Sequence, residues 1–191
     1  MLFRKKPLFN KPLKILLVTN SMILLAGAMF APIYALFVEE IGGSLIDASL
    51  AGGVFALAAG LTTLISGKFS DKIKETELIV IFGYLIMGVG FLLYSACKSI
   101  YFLLFIQVLV GLGEAIYSPA FDAVYSKHLD KKNEGRQWGA WESINYFSLA
   151  AGAAVGGLIV TYFSFTALFT IMAAMSFFSA LYIYQLPRKV L

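Results

Sequence analysis

Charge and reactive side chains are what this chain has least of. Only 14% of its 191 residues are Asp, Glu, Lys or Arg, against about 25% in soluble domains. A single cysteine, Cys97, excludes an intrachain disulfide and a cysteine-based metal cluster, and a single histidine, His128, stands at a loop edge. No G-x-x-x-x-G-K-[ST] phosphate loop occurs, so this chain does not hydrolyse ATP through that motif. Long polar stretches are missing too. The longest connections, 67–77 and 127–137, leave no room for a soluble catalytic domain. With no paired catalytic motif either, the chain is not expected to be an enzyme, and no cofactor or metal is expected.

What fills the sequence is apolar. Hydrophobic residues make up 60% and mean hydropathy is +0.83, which places the chain in lipid. A membrane-spanning helix needs about 20 mainly apolar residues. Six segments supply them: 15–38, 47–66, 78–97, 100–126, 138–162 and 163–186. Each run is continuous, whereas barrel strands would be about ten residues of alternating polarity. The expected fold is therefore an all-α membrane protein with six transmembrane helices. A basic segment 1–14 precedes the membrane domain 15–186, and 187–191 follow it.

Charge placement sets the expected topology. Of the basic residues, Arg4, Lys5, Lys6, Lys11, Lys14, Lys68, Lys72, Lys74, Lys127, Lys131, Lys132, Arg136, Arg188 and Lys189 fall on one side of a six-span chain, and only Lys98 on the other. By the positive-inside rule both termini are cytosolic, in a multi-pass protein of the cell (inner) membrane. The same distribution explains the net charge of +4 without a nucleic-acid partner. Lys5 to Ala28 imitates a signal peptide, with a small-residue site at Ala26-Gly27-Ala28. The apolar run, however, continues through Val38, longer than the 7 to 15 residues of an h-region.

A shift of 87 residues lays segments 1, 2 and 3 on segments 4, 5 and 6. Three is odd, so the two units are inverted, with their boundary near 98–101. In this register Phe30-Ala31-Pro32-Ile33-Tyr34 falls on Tyr117-Ser118-Pro119-Ala120-Phe121, and Asn20 on Gln107. Inverted repeats whose helices break at matching places mark midplane binding sites. Pro32 and Pro119 are the expected breaks, because proline removes one helical hydrogen bond; an ordinary kink is the alternative.

Several polar residues stand inside these apolar runs. An Asp at mid-membrane costs about 2.5–3.5 kcal/mol on insertion scales, so Glu114, Asp122 and Glu142 each require water or a partner. At 100° per residue Gln107, Gly111, Glu114, Ser118, Asp122 and Tyr125 share a face of segment 4. Glu142, Asn145, Tyr146, Leu149, Ala153 and Gly156 share one on segment 5, and Asn20, Gly27, Ala31 and Tyr34 one on segment 1. The three faces are expected to line one pathway. Glu114, near mid-membrane, is the candidate proton or cation site, with interhelical glue as the competing role. Asp122 and Glu142 lie closer to Lys127 and Arg136 and could pair with them. Tyr34, Tyr117, Tyr125 and Tyr146 would suit aromatic or amphipathic cargo, though tyrosines also anchor interfaces. Small residues Ala48, Gly52, Ala56, Ala59, Thr63 and Ser66 form a face of segment 2 suited to close helix packing.

Between segments 2 and 3, Gly67-Lys68-Phe69-Ser70-Asp71-Lys72-Ile73-Lys74 resembles the G-x-x-[AS]-D-[RK]-x-G loop signature of the major facilitator superfamily. Lys74 replaces the final glycine and Glu75 the basic residue after it. Gln107 to Gly113 is similar to the family's R-x-x-x-G-x-G pattern, with Gln107 in place of arginine. Gly139 and then Gly152-Ala153-Ala154-Val155-Gly156-Gly157 resemble the exporter signature G-P-x-x-G-G, with Ala153 for proline.

The resemblance covers the first six of the family's usual twelve helices. It implies a small-molecule secondary transporter working by alternating access, with segments 1 and 4 at a central cavity and segments 3 and 6 outside. Gly67, Ser70, Asp71 and Lys72 would form a cytosolic gate. The expectation is a proton-coupled exporter, a half-transporter that rebuilds the twelve-helix cavity as a parallel homodimer. A heterodimer half, a truncated longer protein, and a non-transporting scaffold or assembly subunit are the alternatives.

Overall fold

Hydrocarbon offers a backbone amide no partner, so each apolar run must close its own hydrogen bonds, and a helix does so. The computed structural model describes residues 7–70, 73–187 and 190–191. Its helices are α1 (Lys11–Phe30), α2 (Tyr34–Glu40), α3 (Leu45–Ser70), α4 (Thr76–Tyr94), α5 (Ile100–Lys127), α6 (Glu134–Tyr162) and α7 (Phe165–Tyr184). A 3₁₀ turn, Ala31–Ile33, joins α1 to α2, and together they make the first crossing. Among the described residues six crossings result, each long and apolar enough to span a bilayer, and no strand occurs.

Local chemistry sets the ends. Asn10, Ser99 and Ser164 each accept a backbone N–H three residues on, from Leu13, Phe102 and Ala167, and so open α1, α5 and α7. Ser44 and Asp47 bond reciprocally as a capping box before α3. Gly42, at φ +83°, ends α2 in the left-handed region that favours glycine. Because Asn10 caps it, α1 begins at Lys11, four residues before the first apolar run.

Neighbours follow the order α3, α5, α4, α7, α1, α6, an open arc and not a closed ring. Exchanging α1 with α5, α3 with α6 and α4 with α7 reverses that order and leaves the neighbours unchanged. The two units are thus inverted three-helix repeats related by a pseudo-two-fold. At the ends of the arc α3 and α6 each pack closely on one neighbour, α5 and α1 respectively: 11% and 17% of their apolar windows are buried, against 39% to 50% in the other spans.

The prolines behave differently from each other, which corrects the expectation of matched breaks. Pro32 lies in the 3₁₀ turn that separates α1 from α2, whereas α5 runs unbroken through Pro119. Pro119 has no N–H for the carbonyl of Ala115, four residues earlier. Ser66 Oγ of α3 donates to that carbonyl instead. The register equivalent of Ser66 in the other unit is Ala153, which has no hydroxyl to offer.

Candidate functional site

Between α1 and α5 lies a cavity of about 400 Å³, lined by Gly27, Phe30, Ala31 and Tyr34, by Gly52 and Phe55 of α3, and by Gln107, Val110 and Glu114 of α5. Met87, Phe91 and Tyr94 of α4 and Met172 of α7 complete it. Most of this lining is apolar, so its few polar atoms decide what the cavity can bind. Gln107 is the hub. Its Nε2 donates to the Tyr34 hydroxyl, and its Oε1 accepts from the Tyr94 hydroxyl at 3.2 Å. One buried amide thereby ties three crossings together beside the cavity.

Glu114 is the fifteenth of the 28 residues of α5, the midpoint of its crossing. Among the described residues its carboxyl has no hydrogen bond or ion pair, although the residue is half-buried. A carboxyl serving as interhelical glue would bond across helices. This one faces the cavity instead. Gly27, its equivalent under the 87-residue shift, lines the same cavity, and the absence of a side chain there leaves the space open.

Of the residues expected from sequence, the structure brings Tyr34, Gln107 and Glu114 together. Asn20 lies elsewhere: it is buried and accepts from the Tyr84 hydroxyl at 3.3 Å in the α1–α4 packing. Ser118, half-buried, and Asp122, exposed, continue along α5 toward the end that carries the termini, Asp122 about 12 Å beyond Glu114 at 1.5 Å per residue. On α6, Glu142 and Tyr146 are exposed and Asn145 is half-buried. None of the three lines the α1–α5 cavity, so the α6 stripe does not join the other two faces there. Its glycines turn α6 toward α1 instead. A methyl group on Gly152 would stand 2.6 Å from Ala28 Cβ, and one on Gly156 would overlap the Met29 carbonyl.

Gly139 and Gly157 face open space. So does Gly67 of the expected gate motif, near the end of α3. Asp71 and Lys72 lie outside the described residues, as does the side chain of Ser70. Tyr117 and Tyr125 are core residues outside this cavity: Tyr117 packs on Tyr84 with ring centroids 4.9 Å apart, and the Tyr125 hydroxyl donates to the Gln137 carbonyl at 2.7 Å.

Two contributions were missed. Segments 3 and 6 were expected outside the cavity, yet α4 and α7 supply its floor through Met87, Phe91, Tyr94 and Met172. The signal was present, since Met87, Phe91 and Tyr94 recur at i, i+4 and i+7, the spacing of one helix face. Phe55 of α3 stands opposite Gly111, which approaches its carbonyl so closely that a Cβ there would lie 2.7 Å away.

An inverted-repeat helical bundle with a polar-centred cavity at mid-membrane defines the chain as a multi-pass membrane protein with a transporter fold. The Major Facilitator Superfamily profile matches residues 16–190, and the chain belongs to that family. It is similar, at 26% identity over 91% of its length, to the multidrug resistance protein MdtG of Salmonella schwarzengrund, of which it covers 44%. An uncharacterised MFS-type transporter of Methanocaldococcus jannaschii is 23% identical over 86% of the chain and 42% of that protein. Among solved structures, the POT family transporter PepTSo superposes with a TM-score of 0.74 at 16% identity, over 93% of this chain and 37% of that one. The chain spans less than half the length of these relatives.

Proposed function

We propose that this chain forms one six-helix half of a secondary transporter for small amphipathic molecules, with Glu114 as the group that exchanges a proton or binds cationic cargo. The observation that carries the reading is the unpartnered Glu114 carboxyl at the midpoint of α5, on a cavity of about 400 Å³. Placing a carboxyl there is costly, and no bond within the described residues offsets it. A proton or a cation from the cavity would. The Tyr34–Gln107–Tyr94 chain, about two turns along α5 from Glu114, offers a hydroxyl and an amide to the cargo.

The sparsely packed α3 and α6 are the edges against which a second six-helix unit would close the cavity, and a second parallel copy of this chain is the proposed occupant. Alternating access then follows from rocking the two units about Glu114. The similarity to a multidrug resistance protein and the Gly152 to Gly157 motif favour export. Asp71 and Lys72, with Gly67 and Ser70, would contribute to the cytosolic gate. Ser118, Asp122, Glu142, Asn145 and Tyr146 would line the path only in a cytosol-open state.

The test is efflux of ethidium, an aromatic cation, from proteoliposomes under an imposed pH gradient. Wild-type protein is expected to transport and Glu114→Gln to lose at least about tenfold in rate, one coupling carboxyl being worth more than ~1.4 kcal/mol of barrier. Transport by a folded Glu114→Gln protein at the wild-type rate would remove Glu114 from the mechanism.

A further inference from the structure

A second cavity, of about 320 Å³, opens at the end of the bundle away from the chain termini. It is built from the last turn of α2, the connection from α4 to α5, and the first turn of α7. Its floor is aromatic and buried: Phe37, Tyr94, Phe165 and Phe169 are each at most 8% exposed. Phe37 meets Phe169 edge-on at 5.0 Å, and Tyr94 stacks on Phe169 at 5.1 Å. At the rim stand two opposite charges, Glu40 and Lys98, both exposed. Neither forms an ion pair among the described residues. Lys98 is also the one basic residue on its side of the chain in the topology read from charge.

The chemistry is specific in kind. Aromatic faces attract an ammonium group through their quadrupoles, and a carboxylate at the rim completes its coordination. A lysine ammonium on the same lining is a point-charge partner for phosphate-like oxygens. Two opposite charges that both line a pocket without pairing offer complementary handles to one molecule carrying both signs. The volume is that of a small-molecule pocket. This site is separate from the Glu114 cavity, although Tyr94 is a wall of both, with its hydroxyl bonded to Gln107 on one side and its ring in the aromatic floor on the other.

We propose that this pocket binds a compact ammonium–phosphate zwitterion, its ammonium among Phe37, Phe165 and Glu40 and its phosphate oxygens on Lys98. Phosphoethanolamine is such a group, whether free in solution or as the headgroup of a lipid in the outer leaflet. Charge and ring chemistry are the same in both cases.

The experiment measures binding of radiolabelled phosphoethanolamine to the full chain in nanodiscs of phosphatidylglycerol alone. In parallel, native mass spectrometry compares retention of phosphatidylethanolamine and phosphatidylglycerol by the detergent-purified protein. Saturable phosphoethanolamine binding, weakened about tenfold or more by Glu40→Gln or Lys98→Gln and unchanged by Glu114→Gln, supports a site for the soluble zwitterion. Preferential retention of phosphatidylethanolamine, lost in the same two variants while the soluble probe does not bind, supports the headgroup. Absence of both, or binding that persists unaltered in Glu40→Gln and Lys98→Gln, overturns the proposal. Both positions are exposed, so neither substitution threatens folding. The Glu114→Gln control separates failure here from failure of the transport reading.

Discussion

At the scale of single residues, the glycines of α6 separate packing from mere composition. Gly156 sits against the backbone of Met29, where a methyl group has no room, while one residue later Gly157 has nothing within 4 Å. Backbone cannot yield as a side-chain tip does. Gly156→Ala is therefore expected to push α6 off α1 and cost about 1–3 kcal/mol, as overpacking does. Gly157→Ala is expected to be neutral or slightly stabilising, because it removes helix-interior glycine entropy without a clash. Thermal unfolding in detergent distinguishes the two, and equal midpoints for both variants would contradict the close α1–α6 approach. The cluster of small residues was legible in the sequence. Which of two adjacent glycines meets the neighbour was not, because that depends on a rotation of 100° per residue set by contacts from another helix. Tyr94 was hidden for a related reason: an aromatic in an apolar run is ordinary until a partner amide, here Gln107, is brought to it.

At the scale of elements, the two proline sites show how a repeat can hold in sequence and diverge in structure. Both sites read aromatic, small, proline, aliphatic, aromatic, and local sequence treats them alike. What differs lies 49 residues away, in the Ser66 hydroxyl that bonds the Ala115 carbonyl in place of the missing amide. Ser66→Ala is expected to leave that carbonyl without a partner in a low-dielectric setting, costing about 0.6–2 kcal/mol, and to let α5 bend at Pro119 just beyond Glu114. Hydrogen exchange at the amides of Ala120 to Phe121 should then rise relative to the rest of α5. An exchange pattern identical to wild type would mean that packing alone keeps α5 unbroken there. Helix number, approximate boundaries and the inverted relation of the two units were all readable from apolar length and the 87-residue shift. The order of neighbours was not, since a polar stripe states that a face avoids lipid without saying which helix covers it, and the α6 stripe is the case in point.

At the scale of the whole molecule, the open arc poses an energetic question that fixes the final prediction. Exposed Leu57, Leu61 and Leu64 on α3 and Leu149 and Leu158 on α6 do not by themselves demand a partner, because lipid tails solvate leucine as well as protein does. The polar group is what demands one. Glu114, Tyr34 and Gln107 line a cavity that a single six-helix unit leaves open, and hydrocarbon in contact with that carboxyl costs several kcal/mol. A second unit would replace lipid with an enclosed, hydrated space. In lipid nanodiscs at low protein density the chain is accordingly expected to have the mass of two copies, and Glu114→Leu, which removes the charge, is expected to raise the monomer fraction. The direction is informative. An added leucine would strengthen association if apolar contact drove it, and weakens it only if the carboxyl does. A strictly monomeric wild type, with Glu114 still ionisable, would require water to reach the cavity from one membrane face through this unit alone, and the two-unit closure would then be wrong.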